Sequence, residues 1–129
     1  MKKLLFSAVM ALVLGCFISC IPRVSIGQEP QKDEANSTVN GKFYDNTVYK
    51  CWKFTWETTE KITDEPDERN SGVYYWWLTE FNAQYQKAYW LYSNNVSASA
   101  YGVGASVSGT CTLEEAKDKD ENSCYSDED

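Results

Sequence analysis

Residues 48–57, VYKCWKFTWE, alternate in character. Val48, Lys50, Trp52, Phe54 and Trp56 fall on one side, and Tyr49, Cys51, Lys53, Thr55 and Glu57 on the other. Successive strand side chains point to opposite faces, so the pattern predicts a strand with one aromatic face. Residues 58–72, TTEKITDEPDERNSG, are polar and acidic, with Pro66 and Gly72 as breakers. They read as a long solvated hairpin connection. Residues 73–80, VYYWWLTE, form a second strand with four consecutive rings, Tyr74, Tyr75, Trp76 and Trp77.

The period then changes. Phe81, Tyr85, Ala88 and Tyr92 recur at helical spacing with Tyr89 beside them, which predicts an amphipathic helix over 81–92. Thr79 stands where an N-cap belongs, Glu80 suits the first turn, and Ser93-Asn94-Asn95 ends the pattern. Residues 97–112, SASAYGVGASVSGTCT, return to period two and read as a third strand. Tyr101, Val103, Ala105, Val107 and Cys111 share one of its faces. Thr112-Leu113-Glu114-Glu115 has capping-box spacing and admits a short C-terminal helix. The expected fold class is α+β: a small antiparallel sheet in β-β-α-β order, with one helix packed on one face.

The ends define the organisation. Lys2 and Lys3 precede an apolar run from Leu4 to Leu14, the layout of a signal peptide and too short for a membrane span. Val13-Leu14-Gly15-Cys16 resembles a bacterial lipobox, and Phe17-Ile18-Ser19-Cys20 is a looser candidate. Ordinary cleavage after Ser25-Ile26-Gly27 is the third option. The expected layout is a signal peptide over 1–20, its end lying between 15 and 27. A disordered tether follows over 21–40, then a single domain over 41–125 and an acidic tail over 126–129. The protein is expected to be exported, either secreted or lipid-anchored through Cys16 or Cys20 in the cell envelope.

Charge and composition narrow the chemistry. The formal net charge is -7, and removal of Lys2 and Lys3 makes it more negative still. That excludes nucleic acid as a partner and leaves a lipid anchor as the one route to a membrane. The sequence has no histidine, so Ser-His-Asp and Cys-His sites are excluded and zinc loses its commonest ligand. Gly102-Val103-Gly104 lacks the later glycine of a dinucleotide fingerprint, and no cofactor is expected. Asp118, Asp120 and Asn122 begin like a calcium loop, but Ser123 stands where the turn needs Gly, so no metal is expected.

Cys51, Cys111 and Cys124 remain in the domain, and in an exported protein two of them are expected to pair. Three pairings are open. Cys111 falls on the opposite face from Cys51, which favours Cys51–Cys124, with the tail closing over the second face of the sheet.

One helix covers one face, so the second face of VYYWWLTE still carries rings, either Tyr75 and Trp77 or Tyr74 and Trp76. A half-exposed aromatic face is a candidate platform for a glycan or a protein partner. The favoured reading is a non-catalytic interaction module, not an enzyme. The alternatives are a structural accessory subunit with its aromatics buried in an oligomer, and a weak hydrolase using carboxylates such as Glu57, Glu60 and Glu80.

The Lys2-Lys3 signal ending near a Cys, the strand Val48-Tyr49-Lys50-Cys51-Trp52, the run Tyr75-Trp76-Trp77-Leu78-Thr79-Glu80-Phe81 and an acidic segment ending at Cys124 occur together. This combination resembles small exported or lipid-anchored proteins of unknown function from Bacteroidota. The resemblance implies a cellular setting and no activity.

Overall fold

In the computed structural model, which describes residues 23–125, strands and one helix follow in a definite order. They are β1 (Arg23–Ile26), β2 (Lys32–Asp33), β3 (Thr38–Val39), β4 (Lys42–Phe43), β5 (Tyr49–Ile62), β6 (Glu68–Thr79), α1 (Glu80–Ser93), β7 (Val96–Ala100) and β8 (Val103–Glu115). Among the described residues the fold is a small, mostly-sheet domain with antiparallel sheets and one helix. A five-stranded sheet has the order β1-β7-β8-β5-β6, and a three-stranded sheet has the order β2-β3-β4. The expected signal peptide, Cys16, Cys20 and the acidic residues 126–129 lie outside the described residues.

Four expectations are corrected. The β-β-α-β order does not hold, because residues 97–112 are not one strand. The chain reverses at Tyr101 and Gly102, which both take positive φ, 53° and 78°. That is the geometry of a two-residue hairpin turn, and glycine adopts it freely. Val96, Ala98 and Ala100 of β7 consequently face Val107, Ala105 and Val103 of β8 in register. The C-terminal helix does not form, since Thr112–Glu115 continue β8 and pair with β5 out to Trp52↔Glu115. The long acidic connection is mostly strand: β5 and β6 pair from Tyr49↔Thr79 to Glu60↔Glu68, leaving residues 63–67 for the turn. The stretch expected as a tether over 21–40 contributes β1, paired to β7 from Arg23↔Ser99 to Ile26↔Val96, together with β2 and β3.

The helix has two sheets to satisfy. Toward the large sheet, Trp90 meets Phe54 edge-on with centroids 5.5 Å apart and lies 6.2 Å from Trp56. Phe54 also stacks on Trp76 at 4.6 Å. Two glycines make room for these indoles. A Cβ on Gly109 would come within 2.7 Å of the Trp90 ring, and one on Gly72 within 2.7 Å of the Trp56 ring. Toward the small sheet, Val39 is buried and Lys32 Nζ sits 4.8 Å from the Tyr85 ring centroid and 5.6 Å from that of Phe81. The expected stripe of Phe81, Tyr85 and Ala88 therefore belongs largely to the small-sheet side, while Ala83 and Trp90 lie on another side of the helix.

Local hydrogen bonds place the helix. Thr79 Oγ1 accepts from Asn82 N at 3.3 Å and donates to Asn46 Oδ1 at 2.9 Å, so one buried hydroxyl caps α1 and pins the loop before β5. Phe81 N donates to Asp45 O from the same loop. At the other end, Asn95 bridges to β8: its Nδ2 donates to Gly109 O and its Oδ1 accepts from Gly109 N, both at 3.2 Å.

Candidate functional site

The β5–β6 register divides the four consecutive rings by parity. Trp52↔Trp76 and Phe54↔Tyr74 are direct partners on the helix side, whereas Cys51↔Trp77 and Lys53↔Tyr75 are partners on the outer side. Of the two candidate pairs, Tyr75 and Trp77 face away from the helix, and Tyr74 and Trp76 share the face of the Phe54–Trp90 cluster. All four rings are half-buried.

Away from those rings the outer face is polar and hydroxyl-rich. Thr55 pairs with Thr112, Glu57 with Thr110 and Thr59 with Ser108 across β5 and β8. Ser97 pairs with Ser106 across β7 and β8. The contrast between faces follows from alternation: Val107, Ala105, Val96 and Ala98 are buried on the side of the helix, and their neighbours in sequence point the other way.

The C-terminal segment crosses one end of this face. Cys51 and Cys124 form a disulfide, the pair favoured by the face assignment, and Cys51 is 2% exposed beneath the segment. Ala116 N donates to Cys51 O at 2.8 Å. Lys119 Nζ lies 4.5 Å from the Tyr75 ring centroid and 6.0 Å from that of Tyr125. Asp120 shapes the turn that follows: its carboxylate accepts from Asn122 N, Ser123 N and Ser123 Oγ. Hydrogen bonds from Ser123 hold the exposed Asp120 carboxyl below the usual range. The carboxylate that resembled a calcium ligand thus serves a turn. Among the described residues, no group of three or more metal-ligating side chains comes together.

The open aromatics at this end are residues that sequence reasoning did not single out. Tyr49 is 56% exposed at the start of β5, and Tyr125 is 59% exposed beside Lys119. Tyr49 was legible, because alternation puts it on the same side as Cys51. Tyr125 had no periodic signal, since its position follows from the disulfide next to it.

The carboxylates do not converge. Glu57 and Glu60 occupy opposite faces of β5, and Glu80 begins α1 beyond Thr79, the partner of Tyr49 at the other end of that strand. Glu60 is 6% exposed, and its direct partner in the register is Glu68. Burial, then the Glu68 carboxylate, push its carboxyl above the usual range. Cys111, the free thiol, is half-buried on the helix side opposite Trp56; burial raises it and Lys87 opposes that shift.

A concavity of about 310 Å³ opens between α1 and the small sheet, lined by Val39, Asn40, Lys42, Tyr44, Gln84, Lys87, Ala88 and Leu91. Val39 and Asn40 of its lining come from the stretch read as tether, so no local pattern announced it. No family model matches the chain, and neither a curated protein nor a solved structure is significantly similar to it.

Proposed function

We propose that this protein is a non-catalytic interaction module of the cell exterior, and that its binding face is the outer face of the five-stranded sheet around Tyr75 and Trp77. One observation carries the reading. On a face not covered by the helix, aromatic rings cluster at one end and a field of hydroxyls extends from them, all on paired strands. Sugars offer C–H surfaces that stack on rings and hydroxyls that exchange hydrogen bonds, so a glycan matches both halves of the face. Tyr49 and Tyr125 supply open ring surface, while Lys119 of the disulfide-linked segment lies against the Tyr75 ring. Rings fixed before binding lose little conformational freedom when a ligand arrives. Paired, persistent cysteines suit an oxidising extracellular or envelope location, and attachment through an acylated Cys16 or Cys20 belongs to the same proposal.

Affinity electrophoresis through gels containing single polysaccharides tests the reading. At least one neutral polysaccharide should retard the protein, and Tyr75→Ala should need about tenfold more of it for the same retardation. Unchanged mobility in every gel argues against a glycan ligand. Sedimentation separates the subunit alternative: a stable dimer with Trp77 shielded from aqueous quenchers would replace the glycan by a second copy of the chain.

A further inference from the structure

We infer that the β7–β8 hairpin tip at Tyr101–Gly102 is apposed to the membrane that holds the chain's own lipid anchor. The inference rests on the acylated form of the export reading and does not depend on the ligand of the outer face.

Strand register fixes the end of the sheet at which the N-terminal chain arrives. β1 enters at Arg23, opposite Ser99, and runs antiparallel to β7 toward Ile26, opposite Val96. The chain before Arg23 therefore leaves the sheet beside Ala100 and the tip. The candidate acylation sites are close in sequence: Cys20 is three residues from Arg23 and Cys16 is seven. A fully extended chain spans at most about 3.5 Å per residue, so the acylated residue lies within about 10 Å or about 25 Å of Arg23. Neither reach is enough to carry the anchor around to the other end of β5, about 45 Å away for a strand of 14 residues. The anchored end of the sheet is the hairpin end.

The tip itself suits an interface. Tyr101 is 82% exposed, with a φ of 53° that disfavours bulky side chains, in a turn type where Asn, Asp or Gly is the usual first residue. Strain of this kind, retained at an exposed aromatic, points to a use for the ring. Tyrosine's apolar ring and polar hydroxyl match the headgroup region of a bilayer. The neighbouring β5–β6 turn, tied to β8 through hydrogen bonds between Thr63 and Gly104, carries Asp64, Glu65 and Asp67. Anionic headgroups repel those carboxylates. Because β1 is at one edge of the sheet and β6 at the other, the β1–β7–β8 edge tilts toward the bilayer and the acidic turn away from it. Tyr49 and the Cys51–Cys124 end, at the opposite end of β5, then point outward.

The test uses the full chain, exported with its own signal by a diderm bacterial host. The intact mass of the mature protein should show an acylated Cys16 or Cys20 as its first residue. A chain that begins at Gln28, or carries no acyl group, overturns the inference and leaves the glycan reading standing. The acylated protein is then placed in phosphatidylethanolamine–phosphatidylglycerol vesicles with a spin label at Val103→Cys or at Val48→Cys, each in a Cys111→Ala background, with Cys20→Ser added where Cys16 is the acylated residue. The ratio of oxygen to nickel-complex collisions should be several-fold higher at position 103. Equal ratios at the two positions overturn the inference. If either labelled protein fails to fold, hydrogen exchange on the unsubstituted chain decides. Amides of residues 100–104 should slow several-fold on vesicles relative to a Cys16→Ser, Cys20→Ser chain mixed with the same vesicles. No difference between those two chains overturns it as well.

Discussion

Cys51 and Cys124 are joined across 73 residues, and the bond holds the C-terminal segment over the end of the sheet where Trp77 and Tyr75 face outward. Closing a loop of that length removes much of the entropy of the unfolded chain. The stabilisation expected on that basis is about 4 kcal/mol, with native strain and residual structure reducing it. The Cys51→Ala, Cys124→Ala double variant should therefore unfold at lower urea, with a loss of about 2–4 kcal/mol relative to the oxidised protein. A loss well under 1 kcal/mol would mean that the segment is not constrained as described.

Two glycines on the inner face are required by contact with indoles. Alanine at Gly109 would press on the Trp90 ring, and alanine at Gly72 on the Trp56 ring. Each substitution should cost about 1–3 kcal/mol, the usual range for overpacking. Ser108→Ala, beside Gly109 but on the exposed outer face, is the control and should leave the thermal midpoint nearly unchanged.

The large strands and the helix were legible because their signals are local. Alternation of aromatics with polar residues marked β5, and Thr79 before a change of period marked the start of α1. The rest had weaker local signals. Alanine and serine differ little in hydropathy, so β7 and β8 read as one continuous strand, and glycine in a Tyr-Gly turn does not distinguish a reversal from a strand residue. Residues 58–62 looked like loop because they are polar, yet β5 is paired on both sides and its Thr residues are β-branched. The two-residue strands β2, β3 and β4 depend on packing against α1, which no short window can show. The helix itself misled, because it lies between two sheets. Its tyrosine stripe resembled the core face, while Trp90 makes the ring contacts with the large sheet.

Glu60 makes stability depend on pH in a direction opposite to that of a hydrogen-bonded carboxylate. Its folded-state carboxyl is raised, so the folded protein holds the proton more tightly than the unfolded chain does. Stability from this residue is full below the unfolded value, near 4.5, and declines as pH rises above it. Glu60→Gln should stabilise the protein at pH 7 relative to wild type, and the difference should shrink toward zero near pH 4. Urea midpoints measured across that interval check the sign; a variant less stable at pH 7 than at pH 4, relative to wild type, contradicts it.

The Thr79 hydroxyl serves two elements at once. Thr79→Ala removes the cap on α1 and leaves Asn46 Oδ1 without its donor, so a loss of about 1–2 kcal/mol is expected. Thr79→Ser retains the hydroxyl and should recover most of that loss. Thermal melts of the two variants side by side make the comparison.

Trp77 gives the proposed binding face its own spectroscopic reporter, because Trp52, Trp56, Trp76 and Trp90 belong to the helix side of the fold. Tryptophan emission titrated with each polysaccharide that retards the protein is the most direct measurement. A glycan module of the kind proposed gives a saturable change that disappears in Trp77→Phe. Tyr75→Ala should bind about tenfold more weakly, the scale of a lost ring contact. A flat trace with every polysaccharide, or a saturable change that persists undiminished in Trp77→Phe, contradicts the placement of the binding site on this face.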